Sequence, residues 1–434
     1  MKQKDSLRQA GALSSPALGD RLTALKEYVA AHTKIFSSRW INLHVHTNES
    51  FSYFSSPTES VLRAYDENVY YFGINDHYTI DGHGEFRAAC AIAGLEPFYS
   101  IEAIALDVVT LAMKRRFNDP NNPGRIYIIG KGVTKDLGKG SREEGIFDGM
   151  KEAIRKRNMR IVERMNAHAE GKGVPLDLRY DDVRALTPKG NSTERHVVQA
   201  FCEKVGSLSK SGDERIGLFE KLLGVKLDNK TVEDQAELQT LVRAKLVKSG
   251  MPCYVEEDEK AFTSIQNLVQ IFRQYGTIPT YGVMGNPITE EEVDLEALFK
   301  KVTGMGMYGL DLFEFRTKLE RAREIVEAAR AYGLPVFIGT EHNTKTEAPL
   351  TGEIGRDPGL YPYLKESADF LKGHQLLSEL CDFGYLDAGG SARFGDLNEG
   401  FRFFAGVGAM ELPAERLEKL KTTGMRERRT FFGI

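Results

Sequence analysis

The sequence predicts an α/β fold with a mainly parallel sheet, and three observations lead there. Strand-like apolar runs and amphipathic helical stretches alternate from residue 40 to residue 340, which is the pattern of repeated strand–helix units. About seven such strands within about 300 residues suit one closed barrel better than two small domains. A doubly wound open sheet would also accommodate the alternation. Several of the apolar runs end in His, Asp or Glu, and a barrel gathers its strand ends at one mouth.

Composition supports a large ordered core. The chain has 434 residues, 41% of them hydrophobic and 10% aromatic, with 58 Lys and Arg against 62 Asp and Glu for a net charge of −4. Nearly balanced charge with this many aromatics excludes disorder as the main state. The slight acidity argues against a stable duplex-DNA partner held by an overall basic field. Cysteines stand at 90, 202, 253 and 381 with no C-x-x-C. That excludes finger-type zinc and a secreted disulfide framework, leaving buried small hydrophobes. The first residues (MKQKDSLRQAGALSSPALGD) lack a signal-peptide apolar core. No run of 18 residues is free of charge, so no membrane partner is expected and the expected location is cytoplasmic.

Taken in order, residues 17–36 carry Leu18, Leu22, Leu25 and Val29 at helical spacing and predict a lead-in helix within an N-terminal extension, 1–38. WINLHVHT (40–47) alternates as a strand. SPTESVLRAYDEN (56–68) opens with capping residues and continues at helical period. Strands are predicted at YYFGIND (70–76), PFYSIEAIAL (97–106), RIYIIGKG (125–132), IPTYGV (278–283), YGLDLFEF (308–315) and LPVFIGT (334–340). LERAREIVEAARAYG (319–333) is an amphipathic helix closed by Gly333. Together these define a barrel over 39–345.

Residues 203–250 are rich in Lys, Glu, Leu and Gln and predict a helical insertion. Residues 138–172 read as a loop plus a surface helix. The basic run at 151–164 there is either a solvated helix face or a phosphate-tracking patch. Residues 346–434 show no repeat and are expected to pack on the barrel. GRIYIIGKG fails as a phosphate loop, because five residues separate its glycines and no Ser or Thr follows Lys131.

The nine histidines matter by context. His44 and His46 form H-x-H at a strand end, where residues i and i+2 share a face and make a two-imidazole clamp. His77 follows Asp76 at the end of another apolar run. Glu102 is an acid inside an apolar strand, which costs several kcal/mol unless it is paired or bound to metal. His196 stands at a helix start, where capping is an alternative role. Glu341 and His342 end the last strand.

In these residues the sequence resembles the PHP (polymerase and histidinol phosphatase) superfamily of metal-dependent phosphoesterases. LHVHT (43–47) is similar to its opening H-x-H-T, and INDH with the following DG (74–82) to its second motif. SIE (100–102) resembles the third. ERHVVQAF (194–201), SGMPCYV (249–255), GLDLFEF (309–315) and LPVFIGTEH (334–342) resemble later ones, so the likeness runs in order from 40 to 343. It implies a distorted (β/α)7 TIM-like barrel with a metal cluster at the mouth. The chain departs from the pattern at Ser52, Tyr127 and YGVMGNP (281–287), where members carry His. It departs again at Asn343, which follows an adjacent Glu341–His342 pair.

The resemblance implies His44, His46, Glu102 and Glu341 as ligands of one ion, with His77, His196 and His342 available to a second. The expectation is one to three divalent ions (Zn, Mn or Fe), two being the expected number. Asp76, His77 and His196 are the candidate catalytic residues. Tyr127, Arg195 and Lys345 are candidates for contacting a phosphate-containing small molecule or nucleotide. The expected activity is hydrolysis of a phosphomonoester or of a nucleotide or oligonucleotide phosphodiester by metal-activated water. The alternatives are a non-catalytic metal- or ligand-binding protein of the same fold and a metal-dependent hydrolase of a non-phosphate bond.

Overall fold

A computed structural model describes residues 11–434. The first ten residues of the expected N-terminal extension lie outside the described residues. Seven strands form one sheet in chain order. They are β1 (Trp40–Val45), β2 (Val69–His77), β3 (Glu96–Leu106), β4 (Arg125–Lys131), β5 (Ile278–Val283), β6 (Leu310–Phe313) and β7 (Val336–Gly339).

Neighbours pair in parallel except around β4, which is antiparallel to both β3 and β5. The sheet is therefore mixed rather than an unbroken strand–helix repeat. The cause lies in the connection. Residues 107–124 hold only the five-residue helix Val108–Ala112, whereas the equally long connection between the parallel β2 and β3 holds the eleven-residue helix His83–Ala93, the kind of element that usually makes a parallel return. The chain turns at the end where β3 finishes and runs back down.

The outer strands meet. The Thr340 and Glu341 amides donate to the His44 carbonyl at 3.1 and 2.9 Å, and the His46 amide donates to the Glu341 carbonyl at 2.8 Å. These bonds bring the sheet close to a closed barrel.

Helices cover the outside for local reasons. Pro57–Asp66 starts where the Ser56 hydroxyl accepts the Glu59 amide and Pro57 takes the first helical position. Leu319–Tyr332 stops at Gly333, whose φ of 80° is left-handed. Leu18–Ala31 buries Leu25 and Tyr28 beside Pro57–Asp66 and His83–Ala93. Tyr361–Cys381 crosses Leu397–Gly408 so closely that a Cβ on Gly373 would fall 2.0 Å from the Phe404 carbonyl oxygen.

Between β4 and β5 the chain leaves the barrel. Helix Arg142–Gly171, with 30 residues, is about 45 Å long. Its first turns bury Phe147 and Met150 in the barrel core. Its later turns place Ile161, Met165 and Ala169 in a second hydrophobic cluster that continues to Val255. The helices Glu194–Ser207, Gly212–Leu223 and Gln235–Val242 complete that helical block. The basic run at 151–164 lies on this long helix. Its charges are largely paired, Lys151 with Asp148 and Arg155 with Glu152. Arg157 is held between the Val255 carbonyl and Glu194.

All four cysteines are buried and free. Among the described residues, no helix is long and apolar enough to cross a membrane.

Candidate metal centre

Alternate residues of a strand share a face, so His44 and His46 emerge together inside the barrel at the end of β1. Parallel pairing of β2 with β3 sets His77 directly beside Glu102. The H-x-H pair and the His77–Glu102 pair thus meet at one rim. His44 Nε2 lies 3.2 Å from His46 Nε2 and 3.2 Å from Glu102 Oε2. His46 Nε2 is 3.7 Å from the same carboxylate oxygen. Glu102 Oε1 is 3.9 Å from His77 Nδ1. The His46 and His77 rings stack at 4.5 Å.

Two groups of donors come within 4.8 Å of one another: His44, His46 and Glu341, and His46, His77 and Glu102. His46 belongs to both. Whether these residues suit a divalent ion is a question of chemistry and satisfaction. Imidazole with carboxylate is the donor set of Zn, Mn and Fe(II) sites. His77 Nδ1 is buried with no hydrogen-bond partner, as a nitrogen would be whose lone pair serves a bound ion. The donor set fits.

The backbone is strained at the same place. Glu341 and His342 are consecutive non-glycine residues with φ of 62° and 55°, a region such residues enter at a cost of about 1–3 kcal/mol each. The Glu341 backbone is pinned to β1 through both its amide and its carbonyl. Its carboxylate pairs with Arg316 at 2.7 Å.

Electrostatics divide the histidines. Burial pushes His44 down, but the Asp311 carboxylate and Glu102 outweigh it and raise the imidazole to about 9. Burial and the neighbouring His77 and His44 hold His46 well below its ordinary value. Burial would raise Glu102, yet His77, His44 and Asn75 bring it down to about 2. The carboxylate is ionised at neutral pH.

The other candidate residues take different places. Asp76 is in neither donor group and holds the loop after β1, accepting from the Thr47 amide at 2.7 Å, the Thr47 hydroxyl at 2.6 Å and the Ser50 hydroxyl at 2.6 Å. His196 is in neither donor group. Its Nδ1 accepts the Thr193 amide at 3.0 Å as part of a capping box, and burial lowers it to about 3. His342 is also outside the groups. Its Nδ1 lies 2.8 Å from the Thr340 hydroxyl, its Nε2 3.0 Å from the Ala348 carbonyl, and its ring stacks on Phe54.

Tyr127 sits at the rim because β4 runs backwards. Burial, then Asp119 and Glu102, raise its phenol, which stays protonated. Lys345 donates to the Ser52 carbonyl at 2.5 Å and lies 5.1 Å from the Phe51 ring centroid. Arg195 has no hydrogen bond or ion pair among the described residues and lies 5.9 Å from the same ring. Burial and then Arg243 lower it to about 10. Phe51, Arg195, Arg243, Thr344 and Lys345 line a small cleft between the barrel loops and the helical block.

Four residues around the donor cluster carry no sequence signal strong enough to single them out: Asn75, Lys131, Asp311 and Arg316. Asn75 Nδ2 donates to Glu102 Oε2 at 2.8 Å and lies 2.8 Å from His44 Nε2. Asp311 interrupts an apolar strand just as Glu102 does, and that parity was the available clue.

No protein-family model matches the chain, and no curated protein matches it. Among solved structures the chain is similar to a candidate metal-dependent phosphoesterase from Bifidobacterium adolescentis, with a TM-score of 0.52 at 16% identity over 74% of this chain and 94% of that one. It is also similar to an amidohydrolase from Chromobacterium violaceum with bound sulfate and no metal, with a TM-score of 0.47 at 18% identity over 74% of this chain and 96% of that one. The first likeness shows a shared fold: an α/β chain whose seven-stranded sheet curls into a nearly closed barrel.

Proposed function

We propose that the chain is a metal-dependent hydrolase of phosphate esters of the PHP type, working at the barrel mouth. The observation that carries this reading is the pair of imidazole–carboxylate groups sharing His46 at one rim. His44, His46 and Glu341 would hold one divalent ion and His77 with Glu102 a second, with His46 standing between them and giving its one lone pair to one ion at a time. An ion bound there acidifies water and offsets negative charge on a phosphoryl oxygen.

The remaining tasks fall to this chain's own side chains. Arg195, a buried cation with no hydrogen bond among the described residues and attracted by the Glu341 carboxylate, binds the phosphate group of a phosphomonoester or of a nucleotide phosphodiester. Tyr127, held protonated by burial, donates a hydrogen bond to a substrate oxygen. Lys345 adds positive potential from the cleft wall. Asp76 keeps the 47–50 loop folded, so that the Ser50 hydroxyl stays 3.4 Å from His46 Nδ1.

Two observations favour a second reading, a metal-binding protein without turnover. Arg316 already neutralises Glu341, and Tyr127 stands where relatives by motif carry His. The test is metal content by mass spectrometry, followed by a panel of phosphomonoesters, phosphodiesters and amides with added Mn or Zn. Phosphate release that disappears in His46→Ala supports the first reading. Metal-loaded protein inert to the whole panel supports the second. Turnover of amides alone assigns a non-phosphate hydrolase.

A further inference from the structure

We propose that Asp311 and Lys131 form a positioning pair that holds the His44 ring with Nε2 turned into the donor cluster, and that the affinity of the mouth for a divalent cation depends on them. The inference rests on the metal reading above.

Both residues are fully buried, and the hydrogen bonds and ion pairs they make reach the donor cluster at His44. Asp311 Oδ2 accepts from His44 Nδ1 at 2.7 Å and from Lys131 Nζ at 2.7 Å. Lys131 also donates to the Leu43 carbonyl at 2.8 Å. The ammonium therefore grips the backbone just before His44 as well as the carboxylate that holds its ring. An imidazole has two nitrogens. With Nδ1 committed to Asp311, Nε2 is the atom presented to His46 and Glu102. Phe313 packs edge-on against the ring at 5.4 Å.

An ion pair inside a barrel is a costly way to fill space. Apolar side chains of equal volume often serve stability as well or better. What the pair supplies beyond packing is direction. A carboxylate on the far nitrogen of a metal-binding imidazole fixes its tautomer and raises its basicity, and losing such a partner weakens metal binding by about 10–100-fold. The placement follows from topology. Because β4 is antiparallel, Lys131 ends its strand deep in the barrel beneath His44, while Tyr127 of the same strand reaches the rim.

The experiment measures Co²⁺ affinity by calorimetry, the visible Co²⁺ spectrum, and the metal-free unfolding midpoint. It compares the wild-type chain, Asp311→Ala, and the double variant Asp311→Asn with Lys131→Met, which removes both charges together. The expected result is a double variant that unfolds near the wild-type midpoint yet binds Co²⁺ about 10–100-fold more weakly with an altered spectrum. Asp311→Ala should be weaker still. A folded double variant with wild-type affinity and spectrum overturns the inference and leaves the metal reading standing. A wild-type chain that binds no Co²⁺ overturns both. Independently of any variant, nitrogen-resolved NMR of the wild-type chain should find a slowly exchanging proton on His44 Nδ1. Rapid exchange there also overturns the positioning role.

Discussion

At the scale of single residues, His46 is the hinge of the account because it belongs to both donor groups. His46→Ala should remove at least one equivalent of bound metal. His77→Ala and Glu341→Gln should each remove about one equivalent, read by mass spectrometry after dialysis against Mn. His196 makes a prediction of a different kind. Its neutral ring accepts the Thr193 amide, and its value drops from 6.5 in the unfolded chain to about 3 when folded. The unfolded chain takes up the proton first, so this contribution to stability is complete above pH 6.5 and is lost as pH falls toward 3. A Gln at this position can cap in the same way without titrating. His196→Gln should therefore flatten the fall of the unfolding midpoint between those pH values, followed by circular dichroism. The placement of His44, His46, His77 and Glu102 at one end was legible, because alternation and strand-end position are local properties. The environments of His196 and His342 were not, because capping and stacking depend on which loop arrives beside them.

At the scale of elements, the decisive feature is the closing seam between β1 and β7. A Cβ on Gly339 would lie 2.1 Å from the His44 Cβ, so no larger residue fits without parting the strands. Gly339→Ala should cost about 1–3 kcal/mol as an overpacked contact and should weaken metal binding by displacing His44. Thermal denaturation and metal titration check the two effects separately. Six of the seven strands could be read as a parallel series from their apolar runs, but the direction of β4 could not. Apolar alternation looks the same in either direction, and only the helix-poor 107–124 connection carried the information. That reversal explains why RIYIIGKG supplies Tyr127 to the rim and Lys131 to the interior. In a wholly parallel barrel, Lys131 would have stood at the mouth.

At the scale of the whole molecule, the barrel and the helical block are joined by one long helix and by a second contact at the mouth. The Asn191 amide donates to the Glu49 carbonyl at 3.0 Å and to the His77 carbonyl at 2.8 Å. The block thus delivers Arg195 beside the donor cluster. Strand periodicity could locate the cluster but not the block's approach to it, since that contact joins segments far apart in sequence. The central claim is that the mouth is a metal centre built from two groups sharing His46. Anomalous diffraction from crystals soaked in Mn or Zn tests it most directly. The account predicts peaks bonded at about 2.0–2.3 Å to His44, His46 and Glu341 and to His77 and Glu102. A fully soaked crystal with no peak within reach of His46, or with its ions bound elsewhere, would contradict it.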